Sequence, residues 1–100
     1  KRMVPPEYPG GPAECMKFLS KNIRYPKTAW KNKVQGRVIV QFWVETDGSI
    51  SDVKVVKGVS WDLNDEAIRV VKSMPNFKPG TVGGEPARIQ FTLPIIFRLQ

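Results

Sequence analysis

Between Arg88 and Leu99 every second residue is apolar: Ile89, Phe91, Leu93, Ile95, Phe97 and Leu99. Arg88, Gln90, Thr92, Pro94, Ile96 and Arg98 fill the positions between them. Successive strand side chains point to opposite faces, so this spacing predicts one long half-buried strand. At about 3.3 Å per residue it spans roughly 36–40 Å. Pro94 within it marks an edge strand, because a residue without an N–H interrupts a central ladder. A long edge offers unpaired backbone groups to another chain, which points to a binding module that works by strand addition.

The remaining pattern predicts four further elements. Residues 1–11 (KRMVPPEYPGG) are rich in Pro and Gly and read as an extended lead-in, leaving 12–100 as the domain. From Pro12 to about Asn22 the period is helical, with Cys15/Met16, Leu19 and Ile23 on one stripe. Pro26 stops that helix, and residues 27–33 read as a turn or helix remnant. Val34–Glu45 alternates as a strand, with Val38, Val40, Phe42 and Val44 on one face and Ile39 and Trp43 on the other. Asp47-Gly48 then turns the chain into a second strand, Ile50–Lys57, whose uneven spacing from Ile50 to Val53 predicts a bulge. Asp62 or Asn64 caps a second helix running to about Met74, ended by Pro75 and Pro79. Gly80, Gly83 and Gly84 read as a loop, with the long strand starting near Pro86.

The order is α-β-β-α-β. The first two strands form an antiparallel hairpin, and the second helix returns the chain so that the third strand runs antiparallel to the first. The predicted fold is therefore α+β: a three-stranded antiparallel sheet of order 2-1-3 with two helices on one face. The third strand is an edge, where Pro94 is tolerated.

Composition sharpens the functional classes. The chain has 100 residues and no His, which removes the commonest general base and metal ligand. Its one cysteine, Cys15, excludes an internal disulfide or a cysteine-based zinc cluster and falls on the apolar helix stripe. Asp62, Asp65 and Glu66 read as helix-start acids, and no catalytic or metal-binding constellation emerges. The net charge of +7 is uneven. Residues 1–37 carry nine Lys/Arg against Glu7 and Glu14, whereas residues 38–100 are neutral. Such asymmetry steers acidic partners or surfaces, although a solvated helix face is the simpler reading. The charge does not interleave with aromatics on one strand face and no nucleic-acid-binding signature is present, so nucleic acid is not an expected partner. The chain lacks a starting Met and reads as a domain of a longer protein.

From about Pro9 to Leu99 the sequence resembles the C-terminal domain of TonB-type energy transducers. The carriers are Tyr25-Pro26 with Ala29, then Gly36-Arg37-Val38-Ile39-Val40-Gln41-Phe42-Trp43-Val44 leading to Asp47-Gly48. Leu63, Glu66-Ala67-Ile68-Arg69, Met74-Pro75 and Phe77-Lys78-Pro79-Gly80 follow, then Gly84-Glu85-Pro86 and the closing Leu93–Leu99 segment. Phe77 stands where the family usually has Trp. The resemblance implies a periplasmic domain tethered to the inner membrane, with no cofactor and no enzymatic activity. A preceding membrane helix would join a proton-driven motor complex. The domain would pair its last strand with the TonB box, a short peptide of an outer-membrane transporter, to drive uptake of siderophores, vitamins or glycans. It also implies homodimers by strand exchange.

The backbone phase narrows the docking edge. If Pro94 faces outward, Arg88, Gln90 and Thr92 share its side and would bond the incoming peptide. The family places Tyr25-Pro26 beside that edge, flanked by Lys27 and Lys31 as charged contacts; the competing reading is a helix stop with Tyr25 packed on the core. A patch of Ile39, Trp43 and Ile96 would mark a dimer interface or the seat of a lid from residues 1–10. The alternative function is the same fold in a periplasmic interaction domain of a membrane sensor or peptidase.

Overall fold

In the computed structural model, which describes residues 1–99, the long alternating segments pair with one another. In chain order the elements are β1 (Met3–Val4), α1 (Pro12–Asn22), α2 (Lys27–Lys31), β2 (Gly36–Val44) and β3 (Ile50–Lys57). They continue with α3 (Trp61–Lys72), β4 (Thr81–Val82), β5 (Glu85–Pro86) and β6 (Ile89–Phe97). Gln100, the end of the expected domain range, lies outside the described residues. No helix among the described residues is long and apolar enough to cross a membrane.

The main sheet has the order β3-β2-β6 and is antiparallel throughout, the topology expected for its three strands. Val38, Val40, Phe42 and Val44 of β2 are fully buried beside Leu93, Ile95 and Phe97 of β6. Cys15 and Leu19 of α1 and Leu63, Ala67, Val70 and Val71 of α3 close over them. Complete burial of each such aliphatic or aromatic side chain stabilises the fold by about 1.5–3 kcal/mol. Phe77 forms an aromatic hub, with Tyr8, Phe42 and Phe91 rings centred 5.4–5.6 Å away at steep angles.

The expected bulge is present, and it is one of two. Gln41 pairs with Lys54 and Trp43 with Ser51, so Phe42 faces both Asp52 and Val53. Asp52 takes φ 51°, the left-handed backbone that such a bulge imposes. A second irregularity falls between Ile39 and Val40.

Four details differ from the sequence reading. First, α3 is capped by Ser60, whose hydroxyl accepts from the Leu63 N–H, rather than by Asp62 or Asn64. Those two residues brace the cap instead. Asp62 accepts from the Ser60 hydroxyl, and Asn64 accepts from the Val59 N–H. Second, the glycine-rich loop is a small hairpin, β4–β5, turned by Gly83 and Gly84 at positive φ. Third, β1 adds to that hairpin as a second three-stranded sheet, and Glu7 bridges to Lys78, so residues 1–11 are tied to the domain. Fourth, β6 begins at Ile89 instead of Pro86, because Glu85–Pro86 belongs to the hairpin. The lead-in does not serve as a lid on Trp43. Its Tyr8 packs against Phe77 and Phe18 on the helix side.

Candidate docking edge

β6 pairs with β2 from Ile89, opposite Val44, to Phe97, opposite Gly36. No described strand lies along its other side. Its nine residues therefore present about 30 Å of backbone edge. Pro94 stands opposite Ile39 in the ladder. Two residues past β6, the Leu99 N–H donates to the Gln35 side-chain oxygen at 2.7 Å, back toward the β2 side of the sheet. Leu99 lies in phase with Ile89, Phe91, Leu93, Ile95 and Phe97, and out of phase with Pro94.

Gln90 and Thr92 are exposed, on the sheet face opposite the helices. Arg88 precedes the strand by one residue, and its side chain is engaged within the molecule. Its Nε donates to both Glu45 carboxylate oxygens at 2.9 and 3.0 Å. Its Nη2 donates to Asp52 at 3.1 Å, and the guanidinium lies 4.1 Å from the Trp43 ring centroid. The Asp52 bulge turns its carboxylate into this cluster. Hydrogen bonds from Ser51 and Arg88 hold the Glu45 carboxyl below its ordinary pKa.

Tyr25 stands at the other end of β6, and Pro26, Lys27 and Lys31 follow it at the start of α2 and along it. The Tyr25 ring meets Phe97 edge-on at 5.6 Å, and its hydroxyl donates to the Val34 carbonyl. Burial pushes the Tyr25 hydroxyl pKa upward. Tyr25 thus packs on the core, while Pro26 caps α2 and leads into the exposed Lys27 and Lys31. The segment before it is fastened to α3. The Arg24 N–H donates to Glu66 at 2.7 Å, and Arg69 donates to the Asn22 carbonyl at 2.8 Å. Glu66 is accordingly more than a helix-start acid. Its burial raises the carboxyl pKa, but hydrogen bonds from Arg69 and Arg24 outweigh that and lower it.

The seven residues singled out from sequence therefore form two groups, and only Tyr25 of the second touches the end of β6. Arg88, Gln90 and Thr92 cluster at the start of β6. Sequence reasoning did not single out Arg37 and Arg98. Both are exposed, and Arg37 pairs with Ile96 near the Tyr25 group. Only the register of β2 against β6 brings them there.

Comparison with known proteins resolves the family. The model of the Gram-negative bacterial TonB protein C-terminal family matches residues 21–99. The chain belongs to that family. Protein TonB of Helicobacter pylori strain J99 is 44% identical over 62 residues, 61% of this chain and 22% of that protein. Protein TonB of Pseudomonas aeruginosa is 30% identical over 76 residues, 76% of this chain and 22% of that protein. The chain thus spans about a fifth of the length of the curated relatives it matches. Two solution structures of the Helicobacter pylori TonB C-terminal domain share the fold. One has a TM-score of 0.66 at 31% identity, covering 85% of this chain and 77% of that one. The other has a TM-score of 0.64 at 30% identity, covering 85% and 89%. As a TonB C-terminal domain, the chain keeps the family's α+β fold with Phe77 as its aromatic centre.

Proposed function

We propose that this chain is the periplasmic C-terminal domain of a TonB-type energy transducer, tethered to the inner membrane by its upstream region. In this reading the free edge of β6 binds the TonB box of outer-membrane transporters as an added strand. A proton-driven motor in the inner membrane pulls on the domain, and the added strand passes the force to the transporter for uptake of siderophores, vitamins or glycans. The observation that carries the reading is the nine-residue β6, paired on one side only and interrupted by a proline. A proline at an edge keeps its missing donor on the unpaired side. Arg88, Gln90 and Thr92 then turn their N–H and C=O groups outward with it, and pairing weakens past Pro94.

Backbone pairing suits a pulling adaptor. Each hydrogen bond contributes only about 0.5–1.5 kcal/mol net, so strength comes from several bonds loaded together. A strand pulled along its axis loads them together, where one peeled from its end loads them in turn. Tyr25-Pro26 with Lys27 and Lys31 supplies the second contact, at the Phe97 end, for a partner with acidic groups. The same edge is open to a second copy of the chain, which would form a strand-exchanged homodimer.

Titration of the isotope-labelled domain with TonB-box peptides of transporters from the same organism tests the reading. Amide shifts concentrated at residues 86–93 and near Tyr25 are expected. No shift with any peptide, on a domain shown to be monomeric, would contradict it and favour the membrane sensor or peptidase alternative.

A further inference from the structure

An apolar groove of about 310 Å³ runs beside β6. Pro6 of the lead-in forms one wall, and Pro12, Cys15 and Met16 of α1 form the other. Phe91 and Leu93 form the floor. Of the main sheet, only β6 lines it among the described residues. Glu7 is its one charged lining residue. The inward side chains further along β6, Ile95 and Phe97, are 0% and 2% exposed, whereas Leu93 is 9% exposed and Phe91 is half-buried. The helix layer therefore seals the end of the strand but leaves its first half open. Met16, 56% exposed, stands at the rim.

We propose that this groove selects the docking strand by receiving one or two of its aliphatic side chains. The inference rests on the strand-addition reading above. A strand added to β6 has its own alternation, so residues opposite Phe91 and Leu93 point to the helix side, into the groove. Directly opposed strand residues have Cβ atoms about 4.5–5.5 Å apart, close enough for those side chains to meet Phe91 and Leu93. The two positions are separated by one residue, which faces the open side of the sheet and meets no such groove. The space corresponds to about ten waters at roughly 30 Å³ each, and the apolar walls give those waters few partners. Val, Ile or Leu would displace them favourably. Lys or Asp would lose its hydration without finding a counter-group, apart from Glu7 for Lys. Backbone pairing would then supply affinity that is blind to sequence, and the groove the discrimination.

The test uses a panel of synthetic peptides from the N-terminal segments of outer-membrane transporters. Each peptide that shifts β6 amides is substituted with Ala and with Lys, one position at a time. The expected result is a tenfold or greater loss at one or two positions two residues apart, and less than threefold at the residue between. Met16→Lys should erase that preference, and Met16→Leu should retain it. Because Met16 is exposed, both variants should fold. Peptide should also slow the reaction of Cys15 with a thiol reagent. Peptides that shift β6 amides with equal losses at every position, or a preference unchanged by Met16→Lys, would overturn the groove and leave strand addition standing. A panel in which no peptide shifts β6 amides would overturn both.

Discussion

The guanidinium of Arg88 lies 4.1 Å from the centroid of the Trp43 ring, across the β6–β2 pair. The same group bonds Glu45 and Asp52, so one cation joins the start of β6 to the hairpin and to the β3 bulge. Arg88 therefore serves the fold through its side chain, while its proposed docking role belongs to its backbone.

These two roles separate experimentally. Arg88→Ala should destabilise the domain by about 1 kcal/mol, the scale of a partly exposed ion pair with a cation–π contact. Peptide affinity should change less than threefold, because backbone groups remain. Chemical denaturation and a peptide titration check both arms. A tenfold loss of affinity without loss of stability would assign the side chain to the partner instead.

Gly48 is the most constrained position of the hairpin. Its φ is 88°, and a Cβ there would come within 2.1 Å of the Phe77 carbonyl oxygen. That oxygen belongs to the residue at the aromatic centre, and the Phe77 N–H donates to the Gly48 carbonyl at 2.8 Å. Gly48→Ala should cost about 2–3 kcal/mol, from backbone strain and a displaced Phe77 segment. Thermal or urea unfolding measures it. A loss below about 0.5 kcal/mol, the range of ordinary surface changes, would contradict this account of the turn.

Much of this architecture was legible because its elements are long enough to show a period. The strands β2, β3 and β6 run for eight or nine residues and alternate, and α1 and α3 run for eleven and twelve with an apolar stripe. β1, β4 and β5 have two residues each, too few to carry any period. The lead-in therefore read as a linker although its backbone completes a sheet. Pro94 gave the candidate edge its expected phase from local chemistry alone. The partners of Arg88 lie 43 and 36 residues away, and only the folded register brings Glu45 and Asp52 to it. The groove likewise joins the lead-in, α1 and β6, which share no sequence signal.

Stability should fall in acid. The Glu45, Asp47 and Asp62 carboxyls are held below their ordinary pKa chiefly by hydrogen bonds from Ser51, Ser49 and Ser60 respectively. Glu66 is lowered as well, by Arg69 and Arg24 against its burial. Each folded pKa lies below the unfolded one, so the unfolded chain binds more protons at low pH. Their contribution is complete above the ordinary carboxylate range of about 4 and is lost as pH falls through the depressed values. Urea midpoints should therefore agree at pH 7 and 5 and drop by pH 3, with Glu66→Gln reducing part of the drop. A midpoint unchanged from pH 5 to 3 would contradict the assignment.

Lys27 and Lys31 should act through charge. The double variant Lys27→Ala/Lys31→Ala should weaken an acidic TonB-box peptide about threefold at low salt and reduce the dependence of affinity on salt. Both residues are exposed, so stability should stay within about 0.5 kcal/mol. An unchanged salt dependence would remove α2 from the docking surface.

Amide hydrogen exchange across β6, with and without a bound TonB-box peptide, addresses the docking edge itself. In the free domain Ile89, Phe91, Leu93 and Ile95 should exchange slowly, because the phase proposed from Pro94 turns their N–H groups to β2, while Gln90 and Thr92 exchange fast. Bound peptide should slow Gln90 and Thr92 and leave the odd-numbered amides as they were. If Gln90 and Thr92 stay fast in a complex that forms, or if peptide newly protects Ile89 and Phe91 instead, the free edge of β6 is not used in this way.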